Sequence, residues 1–99
     1  MEGLIEGRIV HYVMPDGEHR PAVVVKVWDH EGETGTSNLQ IITDGPNDVP
    51  WGSEGKALEE KFVGCGIKLD DVRHGHFWRT SVRYSATPEP ETWHWIERV

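Results

Sequence analysis

The chain has 99 residues, seventeen acidic against ten basic, and a formal net charge of −7; long-range repulsion at that level argues against generic nucleic-acid binding and against an anionic membrane surface. The length suits one domain with a single core, burying only about 60 to 65% of its unfolded surface, and no stretch approaches the roughly 20 apolar residues of a membrane span. A lone Cys65 excludes an internal disulfide and no charged-then-apolar leader opens the chain, so the expected compartment is a reducing cytoplasm.

The first strand is predicted over Arg8 to Met14, where Ile9, His11 and Val13 alternate with Val10, Tyr12 and Met14. Pro15-Asp16-Gly17 supplies turn chemistry, since Pro presets φ and Gly accepts φ > 0. A hairpin follows, with Arg20 to Trp28 as its second arm; Val23, Val24, Val25 and Val27 make this the strongest β signal present. Pro21 cannot donate a ladder bond and belongs at a strand start or edge. A polar loop over Asp29 to Thr36 leads to a third strand, Asn38 to Thr43, which Asp44-Gly45-Pro46 ends.

Residues 46 to 75 break this rhythm and read as a long insertion, with one or two helical turns over Glu54 to Phe62 and Ser53 as candidate N-cap. A fourth strand runs from Phe77 to Tyr84. Of its two faces, Trp78, Thr80, Val82 and Tyr84 are the bulkier and uncharged set and the expected core face, opposite Phe77, Arg79, Ser81 and Arg83. After Pro88 and Pro90, Thr92 to Glu97 reads as strand five. The fold class is therefore all-β and mainly antiparallel: a small SH3-like five-stranded barrel, one domain over residues 1–99, with the insertion between strands three and four. A two-layer sheet with the insertion packed across it is the alternative.

Between Asp71 and Glu89 there is no acidic residue, while Arg73, Arg79 and Arg83 give that stretch +3, so the remainder stands at −10. Arg79 and Arg83, spaced to point the same way, would form a fork for phosphate or carboxylate; pairing with surface acids is the plainer explanation. Five Trp exceed what a core this size requires, and spare indoles suit stacking on a base or anchoring a partner. Trp28, Trp78 and one of Trp93 or Trp95 are expected to fill the core, leaving Trp51 and Trp93 as the spare pair. His74-Gly75-His76, with Cys65 and Asp70-Asp71 upstream, has metal-ligand residue types but no ligand spacing, so neither a metal nor a cofactor is expected. Nothing marks Cys65 as reactive. No nucleophile or phosphate-loop motif occurs, which favours a binding protein over an enzyme, although Ser or Asp with His11, His19 or His94 could assemble in space.

The segments Gly7-Arg8-Ile9-Val10-His11-Tyr12-Val13, Arg20-Pro21-Ala22 running to Val27-Trp28, Asn38-Leu39, Asp44-Gly45, Thr80-Ser81-Val82 with Tyr84, and Thr92-Trp93-His94-Trp95 resemble, in order and spacing, small β-rich proteins encoded by bacteriophages and prophages. The resemblance covers both ends of the chain and omits the middle. It implies a viral protein acting in the bacterial host cytoplasm: a virion part, a host-factor inhibitor, or an anti-defence protein that sequesters nucleotide immune signals. The last of these matches the arginine-bearing strand and the surplus Trp. The resulting expectation is a non-enzymatic protein that binds a small anionic, nucleotide-like ligand through Arg79, Arg83 and Trp93, with His11, Arg20 and Asn38, in a homo-oligomer. A protein-interaction or virion component is the second reading and a hydrolase the third.

Overall fold

The computed structural model describes residues 1–30, 32–50 and 52–97, with the side chains of residues 52–54 set aside. Trp51 as a spare indole and the Ser53 side chain as a cap therefore lie outside the described residues. Five strands, β1 (Ile9–Val13), β2 (His19–Val27), β3 (Ser37–Ile42), β4 (His76–Tyr84) and β5 (Thr92–His94), close into a barrel in sequence order. Neighbouring strands are antiparallel except β4 and β5, which run parallel, and β5 closes the barrel by pairing His11 with His94 and Tyr12 with Trp93.

Alternation in β1 sends Val10 and Tyr12 inward and Ile9 and His11 outward. In β2 the valine run is one residue too long for simple pairing. The register shifts between Val24 and Lys26, so Val25 bulges out, and Val24 and Val27 are both buried although three residues apart. A second irregularity sits in β4 opposite Ser37 to Leu39, where Ser81 has φ 54°. It switches the inward face midway: Phe77 is buried before it and Val82 after it. The expected core face of Trp78, Thr80, Val82 and Tyr84 is thus correct only beyond the bulge.

Trp93, Tyr12, Leu39, Ile41, Val10 and Val24 are fully buried and fill the barrel. At about 25 cal/mol per Å² of apolar surface, each such side chain contributes roughly 1.5–3 kcal/mol. The β3–β4 connection carries a 3₁₀ turn (Gly45–Asp48) and two helices, α1 (Gly52–Gly64) and α2 (Leu69–Arg73), more helix than the one or two turns expected. Phe62, Ile67 and Val72 join it to the main core cluster. No helix among the described residues is long and apolar enough to cross a membrane.

The assignments of Trp28 and Trp78 to the core and of Trp93 as spare fail, while the expectation that one of Trp93 or Trp95 fills the core holds. Trp93 is fully buried, its Nε1–H donating to the Gly35 carbonyl at 2.8 Å and its ring edge-on to Tyr84 and Trp95. Trp28 and Trp78 are 52% and 54% exposed. Trp78 lies outward because it precedes the β4 bulge, and the register aligns it with Gln40, Val23 and Ile9 in one row across four strands.

Candidate functional site: a histidine cluster on the outer barrel face

The six residues expected to bind a ligand do not converge. Arg79 and Arg83 lie on opposite sides of the Ser81 bulge, Arg79 half-buried and Arg83 exposed, so the two form no fork. Arg79 donates to Glu91 at 2.7 Å, and Glu91 is itself held at φ 65°. Nearby, burial pushes the Tyr12 phenol up to about 12 and also raises the Cys65 thiol, with Glu91 adding to the latter. That thiol is protonated and unreactive at neutral pH.

Arg20 is likewise committed. Its guanidinium grips Asp48 in a two-point contact, with Nε to Oδ2 at 2.7 Å and Nη2 on Oδ1, and donates from Nη1 to the His19 carbonyl at 2.7 Å. The Arg20 hydrogen bonds hold the Asp48 carboxyl below its usual range, and Asp48 raises Arg20 in turn. Arg20 also lines a cleft of about 410 Å³ with Asp16, Glu18, Asp48, Val49 and Leu58. Three carboxylates around one neutralised arginine make this cleft unfavourable for an anion.

Asn38 is buried and structural. Its Oδ1 accepts from Trp28 Nε1 (2.8 Å), Thr80 Oγ1 (2.9 Å) and the Ser81 backbone N–H (2.9 Å), which pins the β4 bulge to β3.

His11, by contrast, stands among further histidines. Antiparallel pairing sets His11 opposite His94, and Val13, two residues along the same face, opposite His19. Three imidazoles therefore share the outer face of β2, β1 and β5, with ring centroids 4.7 to 6.1 Å apart. Glu97, beyond the end of β5, reaches back among them: His11 Nδ1 donates to Oε2 at 2.6 Å, His19 Nδ1 lies 2.9 Å from Oε1, and His94 Nε2 also contacts Oε1.

One donor atom from each of these four side chains falls within 4.8 Å of every other. Burial grades across the cluster, from His94 at 5% exposed, through half-buried His11 and His19, to a Glu97 side chain 46% exposed. Partial burial works to raise the Glu97 carboxyl, but its own backbone N–H and the hydrogen bonds from His11 and His94 bring it down to about 2. It is an anion at neutral pH, enclosed on one side by imidazoles and open to solvent on the other.

The sequence pointed elsewhere for ligand-type residues. His74 is exposed against the Asp70 carbonyl and His76 pairs with Gln40, so the His-Gly-His run does not gather. The actual cluster draws on positions 11, 19, 94 and 97. Strand register brings together the three histidines, which the sequence names only as groups able to assemble in space, at neighbouring outward positions of β1, β2 and β5, whereas Glu97 carries no sequence signal. No family model matches the chain, and no curated protein or solved structure matches it either.

Proposed function

We propose that this is a non-enzymatic binding protein that captures a small anionic, nucleotide-derived ligand on the outer barrel face, around His11, His19 and His94. The observation that carries this reading is the position of Glu97: three imidazoles on neighbouring strands surround a carboxylate that a segment outside the sheet supplies. A cradle that holds its own tethered oxyanion can exchange it for a phosphate or carboxylate of a ligand. Exposed Arg83 remains a candidate for further phosphate contact, whereas Arg20 and Arg79 are already engaged by carboxylates. The phage resemblance of both chain ends supports sequestration in a bacterial host, a task that asks for affinity without turnover.

Thermal melting against cyclic dinucleotides, ADP-ribose and inorganic phosphate, in the presence of a chelator, tests this. A ligand at a hundred times its Kd adds about 2.7 kcal/mol of stability and raises Tm. The shift should grow in Glu97→Gln, which removes the competing charge, and vanish in His11→Ala. No shift with any member in either wild type or Glu97→Gln refutes the proposal; conversion of a bound ligand to products would replace it with the hydrolase reading.

The row Ile9, Val23, Gln40 and Trp78 favours a second reading, a protein partner or a second copy docking on the barrel wall, since Ile9 and Trp78 are each about half exposed there. Light scattering of wild type and Trp78→Ser checks it: a dimer that becomes a monomer supports self-association.

A further inference from the structure

We propose that His11, His19, His94 and Glu97 form a four-ligand site for a divalent transition ion of the zinc class. This rests on the same side chains as the anion-binding reading but does not require its ligand.

Imidazole nitrogens with one carboxylate oxygen form a borderline donor set, which suits Zn²⁺, Co²⁺ or Ni²⁺ and disfavours the oxygen-seeking Mg²⁺ and Ca²⁺. A tetrahedral zinc with bonds of about 2.0–2.1 Å needs donor atoms roughly 3.3 Å apart. The four donors here already lie within 4.8 Å of one another, so rotations of about 1 Å at the side-chain tips complete the shell. The three imidazoles are borne on paired strands, and their spacing is fixed by barrel register. Glu97 stands inside the ring of nitrogens, in the place an ion would take, but it lies outside the strand and is half exposed. It can withdraw by the ~2 Å that coordination requires.

A second observation comes from His94. Its ring is 5% exposed, and Nδ1 has no hydrogen-bond partner among the described residues. Among the described residues the ring's polar attachment is through Nε2, aimed into the cluster. With Nδ1 unpaired among those residues, the buried ring is oriented toward the cluster by Nε2, the nitrogen that would ligate an ion. Three fixed nitrogens and one tethered carboxylate also leave a natural exchange position. An anion entering in place of Glu97 would then meet the charge of the ion as well as the imidazoles, which offsets the repulsion of a protein of net charge −7.

The test is titration of the chelator-stripped, full-length protein, carrying no polyhistidine tag, with Zn²⁺ by calorimetry and with Co²⁺ by visible absorption. The expected result is one ion per chain, with the intense visible bands of four-coordinate cobalt. His19→Ala, at the most exposed of the three cluster histidines, should weaken affinity at least about 100-fold, beyond the roughly 10–100-fold that outer-shell changes cost. Glu97→Gln should weaken metal binding, the opposite of its expected effect on anion binding. Absence of a one-to-one isotherm, or metal affinity unchanged in both His19→Ala and His11→Ala with circular dichroism like wild type, overturns the site. If metal fails but the anion panel still shifts Tm with chelator present, the binding reading stands alone; if metal binds and no anion does, the metal site stands alone.

Discussion

Replacing Asn38 by Ala separates a structural role from a ligand-binding one. One oxygen, Oδ1, takes three donors, and they are not equally exposed to water. Trp28 and Thr80 are exposed, so once released their N–H and O–H find solvent and each costs well under the roughly 1 kcal/mol of an average hydrogen bond. The Ser81 N–H is different. It lies in the β4 bulge at φ 54°, a conformation that costs a non-glycine residue about 1–2 kcal/mol and that this hydrogen bond helps to hold. Loss of that bond with the donor part-buried, together with a small cavity where Asn38 is 8% exposed, sets the expected loss at about 2–3 kcal/mol. For a domain of this length that lowers Tm by roughly 10–20 °C. Urea and thermal unfolding followed by far-UV circular dichroism measure it, and amide exchange at Ser81 should accelerate more than in β1. Introducing Ser81→Gly into the Asn38→Ala background should recover part of the loss, because glycine adopts this φ without strain. A loss below about 0.5 kcal/mol, or no recovery with glycine, would show that Asn38 does not hold the bulge.

Two further outcomes follow from the same structure. Gly35 has φ 63°, and a Cβ there would sit 2.8 Å from Tyr84 Cβ and 2.9 Å from Trp93 Cζ2; overpacking of about 1–3 kcal/mol plus left-handed strain makes Gly35→Ala lose about 2–4 kcal/mol in urea unfolding, and a loss below about 1 kcal/mol would contradict the packing described. The Glu6 carboxyl is drawn down to about 2, first by the Val27 N–H at 2.9 Å, then by its own N–H and by His30. A depressed carboxyl stabilises the fold above its unfolded value, 4.5, and loses that contribution as pH falls toward 2. Wild type should therefore melt above Glu6→Gln at pH 6, with the gap closing between pH 4.5 and 2; a gap independent of pH would remove the carboxylate from the explanation.

The strand frame is legible in the sequence because its signals are local. Alternation in Ile9–Val13, the valine run before Trp28 and the turn Pro15-Asp16-Gly17 each act over a few residues, and the observed strands lie within two residues of the expected ones except at the end of β5, which stops at His94. The bulges are not legible, because an extra residue in a strand changes neither composition nor propensity. Yet the two bulges decide which faces Val25, Trp78 and Arg83 present, and with them the failed arginine fork. Helix α1 is longer than expected because its hold comes from Phe62, buried in the barrel core, while Gly52, Gly55 and Gly64 weaken its local signal. The arginines misled for a related reason. Arg20 finds Asp48 twenty-eight residues away and Arg79 finds Glu91 twelve away, partners that a reading by local charge places in other segments.

The barrel's geometry also favours an outer-wall location for the proposed site. Tyr12, Leu39, Ile41 and Trp93 are fully buried side chains that pack the interior, which directs the search for a ligand site to the outer wall. On that wall the folded state gains most from β-branched or aromatic side chains at paired outward positions, as Ile9 and Val23 illustrate. At the neighbouring pair, His11 with His94, and at His19 beside them, the chain instead carries three imidazoles that share one carboxylate, and one ring nitrogen of the most buried of them has no partner among the described residues. Against an apolar triplet at these positions, this arrangement leaves a polar debt and supplies little packing. A fold does not need such a cluster to close β1 onto β5, since the Tyr12–Trp93 pair on the opposite face already buries both rings in the core. The histidines are therefore better accounted for by a ligand they could hold than by closure of the barrel, and the outer face of β2, β1 and β5 is where the proposed binding is to be tested.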